Sequence, residues 1–303
     1  MKKTAVAVIL LLTLVISACG ENSEPQQEEA AGKSGTREYM SENGPIEIPA
    51  DPKRIVALTN APNILAMDVD IVGVDEWTKA NPLFADRLEG VQTVSDEKLE
   101  EVLALKPDLI IAGSTMKNLD KLSEIAPTIV YTWGKLDYLN QQLEIGKVLN
   151  KEKEAQAWID DFTSRAKAAG EEIQAKAGAN TTVSVFETDS QNFYVLGNNW
   201  ARGTEILYQA MGLQMTDIVK QNALAPGYYT ISLELLPEYA GDFIVLSRKQ
   251  SAENSFMQSE VWKKIDAVKN NRVIEIDTEA SSYSDPITLE HLLKIFHEQF
   301  LAD

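Results

Sequence analysis

Lys151 to Ala177, KEKEAQAWIDDFTSRAKAAGEEIQAKA, decides the fold. Ala155, Ile159, Phe162, Ala166, Ala169, Ile173 and Ala177 recur at helical spacing, which predicts one long amphipathic helix. Asn150 is placed to cap its start and Gly178 to stop it. Gly170 is its weak point, costing about 1 kcal/mol relative to alanine inside a helix. At a rise of about 1.5 Å per residue the segment makes a rod of roughly 40 Å, long enough to join two lobes. A helix bends less readily than a pair of strands, so only modest lobe closure is expected.

On both sides of this rod, strand patterns alternate with short helical ones. Before it, Arg54 to Thr59, Ile71 to Val74, Leu109 to Ala112 and Thr128 to Tyr131 read as strands, and Glu97 to Leu105 and Lys117 to Ile125 as helices. After it, strands are expected at Thr182 to Glu187, Phe193 to Leu196, Asp242 to Ser247 and Arg272 to Ile276. Helices are expected at Arg202 to Met211, Ser255 to Val268 and Pro286 to Leu301. The fold class is α/β: two lobes, each a mostly parallel sheet with flanking helices, joined by the linker helix. The lobes span 44–150 and 179–303, with the connector at 151–178.

The N-terminal end is of a different kind. Lys2 and Lys3 precede an apolar run, Ala5 to Ile16, broken only by Thr13. Residues 1–18 therefore read as a signal peptide, too short to span a bilayer comfortably. Cys19 is the only cysteine, which excludes an intramolecular disulfide. Residues 19–43 are expected to be a flexible tether, being rich in Glu, Gln, Gly and Ser where they begin.

The 46 acidic residues outnumber 28 Lys and Arg, a formal charge of -18 that argues against a nucleic-acid partner. No G-x-S-x-G, H-E-x-x-H or Rossmann fingerprint occurs. His291 and His297 stand some 120° apart around a helix, poorly placed to share a metal. The chain reads as a binder.

Two stretches share a pattern: LEEVLALKPDLIIAGS (Leu99 to Ser114) and LELLPEYAGDFIVLSR (Leu233 to Arg248). Asp108 falls on Asp242 and Glu100 on Glu234. This is either a chance likeness of two helix–strand units or a pair of equivalent carboxylates able to dock a two-fold partner carrying arginines.

The candidate cleft is marked by Phe193 to Gly203, FYVLGNNWARG. A strand ends in a polar turn, then come Trp200, Arg202 and an expected helix start. Trp200 and Arg202 either line a cleft, with the guanidinium and helix N-terminus favouring anionic oxygens, or cover an edge with Arg202 in a surface ion pair. Trp133, Tyr283, Tyr228 and Trp77 stand at comparable strand or loop ends.

With these residues in place, the chain resembles the siderophore-binding lipoproteins of Gram-positive iron ABC importers, of the periplasmic-binding-protein class III type with a helical linker. The resemblance is carried by Pro49 to Val56 (PADPKRIV), Leu105 to Ile111 (LKPDLII), Ile125 to Thr128 (IAPT) and Ser284-Asp285-Pro286. Tyr194 to Gly212 is similar to the hydroxamate branch, whose Tyr, Trp and Arg stand at the spacing of Tyr194, Trp200 and Arg202. The resemblance implies that these three contact a ferric complex, with Trp133 and Tyr283 as further aromatic contacts. Tyr228, Trp77 and Asn60, in the loop Thr59 to Asn63, complete the expected set. It also implies that Glu100 and Glu234 dock the dimeric permease of an ABC importer with its ATPase. Ile16 to Cys19 resembles a lipobox, so Cys19 is expected to carry lipid and hold a monomer on the extracellular face of the membrane.

Charge narrows the ligand. Iron(III) held by three hydroxamates is neutral, whereas three catecholates leave about -3, which needs several basic groups when buried. The chain has seven arginines, one of them in the aromatic stretch. A ferrichrome- or ferrioxamine-type complex is therefore expected, with iron bound only through the siderophore and no intrinsic cofactor or metal site. Ferric catecholate, ferric citrate or haem are the alternatives within binding. A surface hydrolase or ferric-chelate reductase is the alternative outside it.

Overall fold

The computed structural model describes residues 35–189, 192–249, 251 and 254–302. The expected signal peptide, Cys19 and the start of the tether lie outside the described residues. The tether expected through residue 43 ends sooner, because Thr36–Ser41 (β1) and Gly44–Pro49 (β2) pair as an antiparallel hairpin. Arg37 Nη2 donates to the carbonyls of Lys147 (2.5 Å) and Val148 (2.8 Å), and the Tyr39 hydroxyl donates to Glu144 Oε2 (2.9 Å). Distant partners, rather than local composition, order this segment.

The first lobe carries a parallel sheet in the order β5-β4-β3-β6-β7. Its strands are Ile55–Ala57 (β3), Ile71–Val74 (β4), Gln92–Thr93 (β5), Leu109–Gly113 (β6) and Thr128–Tyr131 (β7). Alternate residues serve opposite faces. Ile55, Ala57, Leu109 and Ile111 join one apolar cluster, while Val56, Leu58, Ile110 and Ala112 join another. Both faces are covered, which is why these strands read as unbroken apolar runs. The helices are Ala61–Leu65 (α1), Glu76–Ala80 (α2), Leu99–Ala104 (α3), Leu119–Ile125 (α4) and Tyr138–Val148 (α5).

The linker helix is Glu152–Ala177 (α6), with Gly178 at its end as expected. Its N-cap is Lys151, not Asn150. Asn150 instead takes a left-handed conformation (φ 57°) that stops α5. Its N–H bonds to Lys147 O (3.2 Å), and Lys151 N–H bonds to Gly146 O (2.7 Å). This is the bonding of a Schellman stop, in which asparagine can replace glycine.

In the second lobe the strands Val183–Thr188 (β8), Phe193–Leu196 (β9), Tyr228–Ile231 (β10), Phe243–Arg248 (β11) and Val273–Asp277 (β12) run in the order β10-β9-β8-β11-β12. The expected mostly parallel sheet is mixed. β11 is parallel to β8 and β12, but β9 is antiparallel to β8 and β10. Only residues 189–192 separate β8 from β9, far too few for the crossover that a parallel neighbour needs. The helices are Asp217–Ala223 (α7), Leu236–Tyr239 (α8), Glu260–Lys263 (α9), Asp266–Lys269 (α10) and Pro286–Phe300 (α11). The single helix expected over 255–268 is broken because Ser259 and Ile265 take extended backbone, each opening a new short helix.

The two sheets share one strand order, so the sequence repeat has a structural counterpart. Asp108, before β6, accepts from the backbone N–H of Lys53 (2.7 Å) and Arg54 (2.9 Å). Asp242, before β11, accepts from Thr182 N (2.8 Å) and Thr182 Oγ1 (2.8 Å). Each aspartate ties its strand to the segment that enters the central strand of its sheet, β3 or β8.

The lobes are seated on shared elements. Ala155 of α6 packs in the first-lobe core, whereas Phe162, Ala166, Ala169 and Ile173 pack in the second. Arg165 forks onto Glu290 of α11 (2.9 and 2.6 Å), which also accepts from the Trp158 indole (3.0 Å). Tyr138 of α5 sits in the second-lobe core, and Tyr283 and Ile287 pack against the first.

Candidate functional site

A cavity of about 570 Å³ opens between the lobes. From the first lobe, residues 58–60, 113–116 and 131–134 line it. These follow the C-terminal ends of β3, β6 and β7, where ligands settle in α/β sheets. Asn60, of the expected set, is among them in a left-handed conformation (φ 55°). The second lobe contributes residues 199–202, Glu205 and 282–285.

Trp200 and Arg202 both face this cavity. Arg202 does not open a right-handed helix, as the spacing suggests. Ala201, Arg202 and Gly203 all have positive φ (56°, 53° and 77°). A left-handed conformation costs non-glycine residues roughly 1–2 kcal/mol each, so the turn must be held from outside. Trp200 N–H donates to Thr204 Oγ1 (2.9 Å), Ala201 N–H to Glu205 Oε1 (3.1 Å) and Arg202 N–H to Ser281 O (2.8 Å). Beyond it the chain winds wider than an α-helix, with Met211 N–H reaching Ile206 O (2.7 Å).

The Arg202 side chain is aimed by Glu187 near the C-terminal end of β8. Nε and Nη2 lie 2.5 and 3.2 Å from its two oxygens, and Ser247 Oγ supports the carboxylate (3.1 Å). Both ion-pair members are only 19% exposed. Arg202 is thus both ion-paired and part of the cavity wall. Glu187 was missed by sequence reasoning; its one signal is an acid at the end of an apolar strand.

Trp133 and Trp200 meet edge to face across the cavity mouth, centroids 5.5 Å apart. Trp200 leans on Tyr228 (4.9 Å), which meets Tyr194 (5.8 Å). Tyr194 and Tyr228 do not line the cavity itself. They continue the aromatic row along the outer rim, where the Tyr194 hydroxyl donates to Asp189 (2.8 Å). Trp77 is not brought to the site: it projects from α2 and is 83% exposed. Its neighbour Thr78 points inward and bonds the Tyr283 hydroxyl (3.0 Å). Tyr283 lines the cavity, and burial pushes its hydroxyl up to about 12.

Gln141, Tyr138 and Asn63 also line the cavity and carried no sequence motif. Gln141 Nε2 is buried without a hydrogen-bond partner among the described residues.

Arg202 is the one cationic side chain among the described lining residues. Glu205 and Asp285 are buried there, and burial raises both carboxyls, against hydrogen bonds that lower them. Asp285 caps α11, accepting from Ile287 N (2.8 Å) and Thr288 Oγ1 (2.6 Å), yet it is pushed up to about 6 from 3.8. A carboxyl raised on folding stabilises the protein fully below its unfolded value, and that contribution is lost as pH rises through about 6. Asp285→Asn keeps the capping oxygen, so its expected effect is to flatten the stability profile between about pH 4 and 6. Urea melts of both proteins across that window measure it, and parallel profiles would show that Asp285 does not titrate there.

Residues 55–280 match the family model described as periplasmic binding protein. The chain belongs to that family. Over 298 residues it is 35% identical to the iron(3+)-hydroxamate-binding protein FhuD of Bacillus subtilis (strain 168), covering 95% of this chain and 94% of that one. Among solved structures, the FhuD protein from S. pseudintermedius superposes with a TM-score of 0.80 at 35% identity, covering 89% of this chain and 99% of that one. FhuD2 from Staphylococcus aureus with bound ferrioxamine B gives 0.78 at 32%, covering 82% and 98%. Glu100, near the start of α3, and Glu234, in a short 3₁₀ turn before α8, are both exposed at corresponding places in the two lobes.

Proposed function

We propose that the chain is a substrate-binding protein that captures neutral iron(III)-hydroxamate siderophores, of ferrichrome or ferrioxamine type, and hands them to an ABC permease for iron uptake. The single observation that carries the hydroxamate class is the cavity's charge: one guanidinium, itself half-spent on Glu187, beside aromatic rings. A complex of about -3 would find no second cation among the described lining residues, and a desolvated unpaired charge is costly. A neutral complex needs only local partners for its oxygens, with the Arg202 guanidinium as a donor from the second lobe. The rings cover the methylene linkers. The similarity to FhuD proteins supports the same reading.

In this proposal iron is cargo, held by the siderophore, and the protein performs no catalysis. Glu100 and Glu234 would receive basic groups of a two-fold permease, and a lipid on Cys19 would keep the monomer at the extracellular face. Because the lobes already share core residues, closure on loading would be small.

Titration of the mature chain against ferric trihydroxamates, ferric tricatecholates and ferric citrate, followed by tryptophan quenching, tests this. Saturable quenching by trihydroxamates alone is expected. Tighter binding of the catecholate or citrate complexes would overturn the hydroxamate assignment.

A further inference from the structure

Resting on that reading, the geometry points to Glu42, in the N-terminal hairpin, as the positioning residue that sets Trp133 at the mouth of the cleft. Trp133 lies in a turn closed by Lys135 N–H on Thr132 O (3.2 Å). Gly134 takes φ 77° at its third position, where a type II turn needs a left-handed residue. The turn is exposed and Trp133 is 78% exposed, so its own packing does little to fix the indole.

Glu42 holds both ends of this turn. Its Oε1 accepts from Thr132 N–H (3.3 Å) and its Oε2 from Lys135 Nζ (3.2 Å). The Glu42 side chain is 13% exposed against 53% for Lys135, so the bond is sheltered on the acid's side. Burial alone would raise its carboxyl, but the bonds from Thr132 and Lys135 hold it below the usual range.

The hairpin that carries Glu42 is a fixed post. Arg37 and Tyr39 bind it to α5, and Tyr39 is buried. A strand pair bonded to α5 thus reaches over to an exposed turn and fixes the indole that meets Trp200. Two consequences follow. The functional unit begins with β1, not with β2. Contact between Trp133 and a ligand depends on a residue that touches neither.

The test uses full-length mature protein with Glu42→Ala, Glu42→Gln and Trp133→Ala. Hydrogen exchange without ligand reads the brace itself. Glu42→Ala is expected to speed exchange at 132–135 by about tenfold, with the rest of the protein unchanged. Titration with a ferric trihydroxamate reads its effect on binding. Glu42→Ala is expected to weaken binding by about threefold to tenfold in the parent protein, and not at all when Trp133 is already alanine. Glu42→Gln, which keeps an acceptor for Thr132 but loses the charge facing Lys135, should fall between. Equal losses in both backgrounds, or unchanged exchange at the turn, would overturn the role. If the parent protein binds no trihydroxamate, the functional reading fails, and exchange at 132–135 still decides the brace.

Discussion

Gly170→Ala is expected to destabilise the protein by about 3 kcal/mol, the net cost of overpacking. The sign is opposite to helix propensity, which alone would favour alanine by about 1 kcal/mol. A methyl at this position would stand 2.0 Å from Met211 O, 2.7 Å from Met211 C and 2.8 Å from Met211 Cα. The obstacle is backbone, so no rotamer change relieves it. Nor can Met211 retreat cheaply, because its N–H closes the wide turn on Ile206 O and the next carbonyl, of Gly212, accepts from Gln174 Nε2 (3.1 Å). Gly170 is therefore the point at which the linker helix lies directly against the second lobe's main chain. In a protein of this size the loss corresponds to a fall in Tm of roughly 5–10 °C. Calorimetry of the apo protein measures it. A Tm that stays level or rises would mean the helix can stand off the lobe, and with it the argument for a rigid connector would fall.

That glycine shows where the sequence was legible and where it was not. The periodicity of Ala155, Phe162, Ala166, Ala169 and Ile173 announces the helix because these five positions fall on its buried side. Gly170 reads locally as a defect because its partner, Met211, is a long-range contact. The first-lobe strands were readable for a similar reason: burial on both faces leaves continuous β-branched runs. The hairpin was not. Thr36–Ser41 buries only Tyr39, so no alternation shows, and its order comes from Lys147, Val148 and Glu144. In the site, Trp200, Arg202, Trp133 and Tyr283 declared themselves as aromatics or a cation in polar loops. Trp77 sent the same signal, yet it projects to solvent, since residue type at a loop end does not say which way a side chain points. Gln141 and Tyr138 lie on α5, a helix whose pattern was unread, and Glu187 is an ordinary acid until Arg202 is folded onto it. The left-handed run at 201–203 shows only its Gly203 in sequence, because Ala201 and Arg202 are held there by a side chain four residues on and by the distant Ser281 carbonyl.

Substituting Trp200 or Arg202 by alanine is expected to weaken ferric-hydroxamate binding by about 1–3 kcal/mol each, roughly fivefold to 150-fold, as for aromatic and arginine anchors. The two changes should fail differently. Trp200→Ala removes the ring that meets Trp133 and Tyr228, leaving the Arg202–Glu187 pair in place, so stability should change less than affinity. Arg202→Ala strands Glu187, with Ser247 its remaining donor among the bonds described above, so it should lower stability as well. Arg202→Lys separates charge from geometry. An ammonium can face Glu187, but it cannot span both carboxylate oxygens and still present a fixed N–H to the ligand. If Arg202 acts through its fork, the lysine variant folds and binds nearly as poorly as alanine. If it acts only as a positive charge, lysine restores most of the affinity. Calorimetric titration suits all three, because Trp200 is itself a reporter of quenching. Undiminished affinity in both alanine variants would place the siderophore elsewhere, since no arrangement that fills this cavity can avoid the one guanidinium and the indole beside it.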